Sequence, residues 1–328
     1  MKIEKRPTPV GAETSDNSPT LCRGDDNASS KSETKPKSGD GSLLSDTLRG
    51  GHGLQAGATH KASLPRGARL PINRCNLPAV LLGSLTYQQH PSPFLLDGVF
   101  ELHGDLFRRL AAAAAVERAE VFRDYLTVHF RLERPEDAGF TGRRKNRVKA
   151  NYVRMIRGWS FDSDSREGAV LKGWVESRFG LMPRYHGQQL HDPSGEAYRR
   201  YLEMRSAGLY GTNALEAQLD LLYAFCQSEL ERCHPGARHV TLYRGVNRMA
   251  DYETLGAGEA GSQVILLNNL NSFTCSRERA CEFGDYILAV DVPLTKIFFY
   301  CGLLPGVLQG EDEFLVIGGV VAVTLSTI

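Results

Sequence analysis

His234-Pro-Gly-Ala-Arg-His-Val-Thr-Leu-Tyr-Arg244 is the stretch at which the chain changes character. Upstream of it, Leu215, Leu219, Leu222 and Phe225 form an apolar stripe at helical spacing, and Asn213 with Glu216 three residues on has the pattern of a capping box. His234-Pro-Gly ends that helix, since proline cannot continue it and glycine tolerates the turn that follows. Still further upstream, Leu106, Leu110, Val121, Tyr125 and Val128 recur at near-helical spacing through an alanine run. Downstream, the pattern switches to short β-branched and aromatic runs, which predict strands over 239–244, 264–274, 286–292, 296–300, 314–317 and 320–327. One short helix, from Arg277 to Phe283, interrupts them behind a Ser276 cap and before Gly284. Helices followed by strands indicate an α+β fold, not an alternating βαβ sheet, and no Gly-x-Gly-x-x-Gly turn is present to argue otherwise.

The chain before this is of a different kind. The first aromatic residue is Tyr87, so all 14 Phe, 12 Tyr and 2 Trp lie beyond the opening segment, where Ser, Gly, Lys, Asp, Asn and Pro dominate. A segment of that composition cannot bury enough apolar surface to offset its ordering entropy, and residues 1–68 are expected to be a disordered, low-complexity tail. The remaining 69–328 divide into a mainly helical part, 69–235, and a mainly β part, 236–328. Met1-Lys-Ile-Glu-Lys-Arg-Pro has no apolar run behind it, and no later run reaches the ~18 residues of a membrane span, so a soluble, cytoplasmic protein is expected. The seven cysteines show no Cys-x-x-Cys spacing, and His103, His129, His186 and His191 show no metal or triad spacing, so neither a disulfide framework nor a metal site is indicated. Cys226 and Cys233 read as small apolar side chains of one helix.

Charge is balanced at +1 overall, yet Arg143-Arg-Lys-Asn-Arg-Val-Lys with Arg154 and Arg157 places seven basic residues in fifteen positions. No zinc-finger spacing or RNP motif accompanies them, which argues against nucleic acid. They read as a solvated helix face, or else as a patch that steers an acidic protein or an anionic ligand.

Three positions carry candidate chemistry. Arg244 ends one predicted strand, Ser272 lies within Leu270-Asn-Ser-Phe-Thr-Cys-Ser, and Glu311 and Glu313 stand on either side of Asp312 at the mouth of the strand Phe314 to Ile317. Each is weak alone, because an acidic triplet after glycine is usually a solvated turn and a strand-end arginine usually reaches for water. In this order, Arg, Ser, Glu-x-Glu, the chain resembles the R-S-E class of arginine-specific mono-ADP-ribosyltransferases. Ala280 and Phe283 after Ser272 match that class's strand running into a short helix, although Phe273 stands in the middle of its Ser-Thr-Ser and Thr274 at the end. Asn73-Arg-Cys-Asn-Leu-Pro-Ala-Val-Leu-Leu-Gly-Ser-Leu-Thr-Tyr-Gln-Gln-His, followed by Asp97-Gly-Val-Phe-Glu-Leu, is similar to the N-terminal region of the dinitrogenase reductase ADP-ribosyltransferase family.

The resemblance implies a split, mixed-sheet NAD-binding core and transfer of ADP-ribose from NAD to an arginine of dinitrogenase reductase, reversibly switching off nitrogen fixation. It implies NAD as co-substrate, no metal, and a P-II type nitrogen-signalling protein as regulator. Glu313 would support the cationic ribose, Glu311 would hold and deprotonate the incoming arginine, and Arg244 would take the NAD phosphates. Ser272 and Thr274 would orient the ribose end, and Phe273 or Phe283 would pack on nicotinamide, with ordinary core packing open for either ring. The loop Cys301-Gly-Leu-Leu-Pro-Gly-Val-Leu-Gln-Gly is placed either to meet a protein substrate or to join two strands. Two other functions stay open on the residues alone: the same chemistry on another cytoplasmic protein, and a catalytically silent NAD-binding or interaction module.

Overall fold

The computed structural model describes residues 63–133, 150–190, 192–307 and 312–327. Helices come first: α1 (Ala79–Leu82), α2 (Leu85–Gln89), α3 (Val99–Ala112), α4 (Arg118–His129), α5 (Tyr152–Phe161), α6 (Arg166–Phe179), α7 (Glu196–Leu209) and α8 (Leu215–Cys233). Within this part a short hairpin pairs β1 (Arg184–Tyr185) with β2 (Gln188–Gln189), and isolated bridges join Arg69 to Leu181 and Cys75 to Leu96. Strands follow: β3 (His239–Val246), β4 (Glu253–Ala257), β5 (Gln263–Leu266), β6 (Leu270–Thr274), β7 (Tyr286–Pro293), β8 (Ile297–Tyr300), β9 (Glu313–Ile317) and β10 (Val320–Thr327), with α9 (Arg277–Cys281) between β6 and β7. The architecture is α+β, as the sequence predicts.

Two local expectations are corrected. Asn213 does not cap α8: Ala214 occupies the cap position with φ 48°, and the Asn213 amide donates to the Phe130 carbonyl instead. Glu216, the other half of the expected box, is drawn away by Arg178 and Arg205. The predicted strand 264–274 is two strands, broken at Asn268, whose side chain bonds both the N–H and the carbonyl of Arg184 on the β1 hairpin. The Ser276 cap is as expected, its hydroxyl accepting from the Arg279 N–H at 3.1 Å.

The eight strands run in the order β4-β5-β10-β7-β3-β6-β9-β8, and every ladder among the described residues is antiparallel, where the resemblance implied a mixed sheet. One junction is unlike the others. β3 pairs with β7 from His239↔Pro293 to Val246↔Tyr286, but with β6 only through Tyr243↔Thr274. The sheet is therefore split into a five-strand part and a three-strand part that diverge at β3 and β6.

The last of the chain's crossings between the two parts is at Ile317-Gly-Gly-Val320, from β9 to β10. Gly319 has φ 122°, and a Cβ there would stand 2.9 Å from the Gly83 backbone, so no side chain fits. Lys296, 1% exposed just before β8, donates to the Gly318 carbonyl at 2.9 Å and lies 5.7 Å from the Tyr87 ring centroid. Burial pushes its ammonium down to about 7 from an ordinary 10.5.

Helices cover the sheet. α8 lies on β8 with Leu219, Leu222, Phe225 and Cys226 fully buried, and Phe122 of α4 stacks on Phe225 at 4.3 Å between centroids. α6, almost wholly buried, ends at Gly180 with φ 70° and packs against α5 and α7. Its polar side chains are paired: Arg178 reaches Asp220 through two bonds of 2.7 and 2.8 Å, and Glu176 accepts from Tyr201 at 2.7 Å. Buried charges arranged this way cost little once paired and much if one partner is removed, which fixes how α6, α7 and α8 meet.

Candidate active site

The divergence of β3 from β6 opens a cavity of about 370 Å³ lined by residues from α5, β3, β6, α9 and the start of β9. Arg244, Ser272, Phe273, Thr274, Phe283 and Glu313 all line it. Glu311 lies outside the described residues; Asp312, beside it, is exposed at the cavity edge.

Strand register brings the chemistry together. β6 pairs with β9 so that Thr274 stands opposite Glu313 and Ser272 opposite Leu315. Side chains alternate across a strand, so Ser272 and Thr274 share a face with Glu313. Ser272 Oγ donates to Glu313 Oε1 at 2.7 Å. On the other bank, Arg244 of β3 donates from Nη1 to the Ser272 carbonyl at 2.6 Å and from Nε to the Tyr252 hydroxyl at 3.1 Å. Past the single ladder pair, the arginine side chain thus bonds a carbonyl of the neighbouring strand. Arg244, Ser272 and Glu313 form one continuous chain of hydrogen bonds. Thr274 Oγ1 accepts from the Ser276 N–H at 3.2 Å, which turns the chain toward α9.

The helix α9 lies against β3 because of a missing side chain. A Cβ on Gly245 would come within 1.9 Å of the Ala280 carbonyl oxygen, so only glycine lets the helix approach, and Ala280 is fully buried at the contact. The two phenylalanines part company. Phe273 is 3% exposed and Phe283 is 64% exposed, an open ring at the rim.

Two lining residues carried no sequence signal. Trp159 Nε1 donates to Ser272 Oγ at 2.8 Å, and Ser160 Oγ donates to Glu313 Oε2 at 2.6 Å. Both lie on α5, 113 and 153 residues from their partners, a separation that no local pattern encodes. The nearest hint is that a buried tryptophan must place its N–H somewhere.

The basic stretch also takes a different role. Arg154 pairs with Glu167 at 3.1 Å, while Arg157 donates to the Val307 carbonyl at 3.0 Å and to that of Gly306 at 3.3 Å. Arg123 adds a bond to the Pro305 carbonyl. These two arginines hold the segment that leads to the acidic triplet; Arg143 to Lys149 lie outside the described residues. Leu303, Leu304 and Val307 of that segment point into the core and leave Pro305 and Gly306 at the surface. Burial raises the Cys301 thiol at its base, and the nearby Asp312 carboxylate adds to the effect.

His103 is 8% exposed and bonds the Tyr125 hydroxyl, a packing role; His191 lies outside the described residues. Among the described residues no group of three or more His, Cys, Asp or Glu is arranged to hold a metal ion, and no helix is long and apolar enough to cross a membrane.

The chain carrying this split sheet is similar to a known family over most of its length. It belongs to the dinitrogenase reductase ADP-ribosyltransferase family, whose profile matches residues 72–325. Among individual proteins, it is 39% identical over 252 residues to the NAD(+)--dinitrogen-reductase ADP-D-ribosyltransferase of Rhodospirillum rubrum, across 75% of this chain and 91% of that protein. No solved structure matches the chain.

Proposed function

We propose that this chain transfers ADP-ribose from NAD to an arginine of a protein, that the protein is dinitrogenase reductase, and that residues 69–328 form the catalytic unit. The observation that carries the proposal is the hydrogen-bonded chain from Arg244 through Ser272 to Glu313 at the floor of a cavity. Family membership and the printed name of the Rhodospirillum rubrum relative support the choice of NAD and of the acceptor protein.

The chemistry follows from charge. The bond between nicotinamide and ribose C1′ breaks, nicotinamide leaves with the bonding electrons, and cationic character develops on the sugar. A fixed carboxylate next to that carbon stabilises the transition state more than the ground state, which is the role given to Glu313. The arginine nitrogen attacks C1′ and gives up a proton. A free guanidinium in water holds its protons too tightly for this, so an aimed carboxylate is needed, and Glu311 is assigned the task. Arg244 takes the NAD phosphates with a planar fork of donors, Ser272 and Thr274 define the ribose end, and Phe283 at the rim is the ring available to nicotinamide. Phe273, at 3% exposure, serves the core more than the ligand.

The test separates the two carboxylates. Glu313→Gln should reduce both arginine transfer and NAD hydrolysis by about 100- to 1,000-fold, the usual loss on removing one catalytic electrostatic group. Glu311→Gln should lose transfer but keep hydrolysis, because water needs no carboxylate to free a guanidinium nitrogen. Near-wild-type activity in both variants would refute the assignment, and mass spectrometry of the labelled acceptor would show whether arginine is the residue modified.

A further inference from the structure

Glu313 is only 8% exposed, and a carboxylate so enclosed keeps its charge and direction only if fixed donors meet it. A serine hydroxyl has one proton, so each donation can be assigned. Ser160 Oγ lies 2.6 Å from Glu313 Oε2 and 3.4 Å from the Ile156 carbonyl; distance and charge both give the proton to the glutamate. For Ser272 the assignment comes from its neighbour. An indole N–H only donates, so Ser272 Oγ must be the acceptor of the 2.8 Å bond from Trp159, which directs its own proton to Glu313 Oε1 at 2.7 Å.

Trp159 is itself enclosed. It is 3% exposed, and the Lys172 ammonium, ion-paired with Asp164, lies 5.8 Å from its ring centroid. Two consecutive residues at the end of α5 therefore govern both oxygens of one carboxylate, Ser160 directly and Trp159 by setting the rotation of Ser272.

We propose that Trp159 and Ser160 are positioning residues for Glu313, holding its two oxygens in the direction the reaction uses. The inference rests on the transferase reading above. Neither residue supplies a reacting atom; both act through the carboxylate, so their loss should reduce turnover and leave NAD binding to Arg244 intact.

The experiment measures NAD hydrolysis and arginine transfer in the full chain for Ser160→Ala, Ser160→Thr and Trp159→Phe beside wild type and Glu313→Gln. Ser160→Ala should lower kcat about 10- to 100-fold, the loss typical of a small misplacement of a reacting group, with KM for NAD nearly unchanged. Ser160→Thr, which keeps the hydroxyl, should recover most of it, and Trp159→Phe should lower kcat in the same way. Alanine is well tolerated in a helix, so Ser160→Ala should fold, and recovery by threonine excludes a loss through misfolding. Unchanged kcat in Ser160→Ala, a threonine variant no better than alanine, or a rise in KM alone would overturn the proposal while the transferase reading stands on an active wild type and an inactive Glu313→Gln. An inactive wild type would overturn the transferase reading, and a Glu313→Gln variant as active as wild type would overturn the assignment of Glu313; the positioning role falls with either.

Discussion

Lys296 gives the fold a pH dependence of calculable sign and size. Its ammonium has one carbonyl and one aromatic ring for company, and burial holds it at about 7 in the folded chain against 10.5 when exposed. Below about pH 7 both states carry the proton and the folded state bears the full cost of the buried charge. Between about 7 and 10.5 the unfolded chain keeps a proton that the folded chain has shed, so stability rises with pH across that window. At about 1.4 kcal/mol per unit, and allowing for the half-protonated start, the gain from pH 7 to pH 8.5 is about 1–2 kcal/mol. Tyr223 and Cys226, raised by burial, work in the opposite direction at higher pH, and so the comparison stops at 8.5. The assay is denaturant unfolding of wild type and Lys296→Met at both pH values. Methionine fills the same space without a proton, so the stability difference between the two proteins should move by about 1–2 kcal/mol in favour of wild type as pH rises. A difference that stays constant with pH would show that Lys296 does not shed its proton in this range, and the buried, unpaired environment described for it would be wrong.

Two further outcomes follow from the cavity walls. Gly245→Ala places a methyl group 1.9 Å from the Ala280 carbonyl and must push α9 off β3; unfolding should show a loss of about 1–3 kcal/mol, and the KM for NAD should rise because Arg244 is the adjacent residue. Arg157→Ala removes both side-chain bonds to the Gly306 and Val307 carbonyls, and should reduce transfer to the protein acceptor more than NAD hydrolysis, measured as the ratio of the two rates; an unchanged ratio would mean the segment is held without it.

What could be read from the sequence was what neighbouring residues encode. The strands from His239 and from Phe314 show in their apolar runs, and the Ser276 cap lies three residues from the N–H it satisfies. β4 was missed because it is a polar edge strand containing Gly256, which presents no buried face. Asn213 looked like a cap because the motif is local, whereas its amide answers to Phe130, 83 residues away. The same limit hid the back of the site: Arg244, Ser272 and Glu313 lie on recognisable strands, but Trp159 and Ser160 reach them from a helix whose pattern speaks only of packing. Arg157 was concealed by its company, since a basic run suggests solvent and says nothing of the carbonyls one member will find.

The single pair between β3 and β6 has a consequence for how the molecule protects itself. An interior strand ordinarily uses its backbone donors and acceptors on both sides; where pairing stops, an edge is left, and exposed edges invite the strands of other molecules. Here that edge lies inside the sheet, roofed by α9 on one side and by Trp159 and Ser160 of α5 on the other. Helices flank that edge where another molecule's strand would have to pair, and a cavity of about 370 Å³ is left between them. The cleft therefore arises by omission, from ladder bonds not made between β3 and β6.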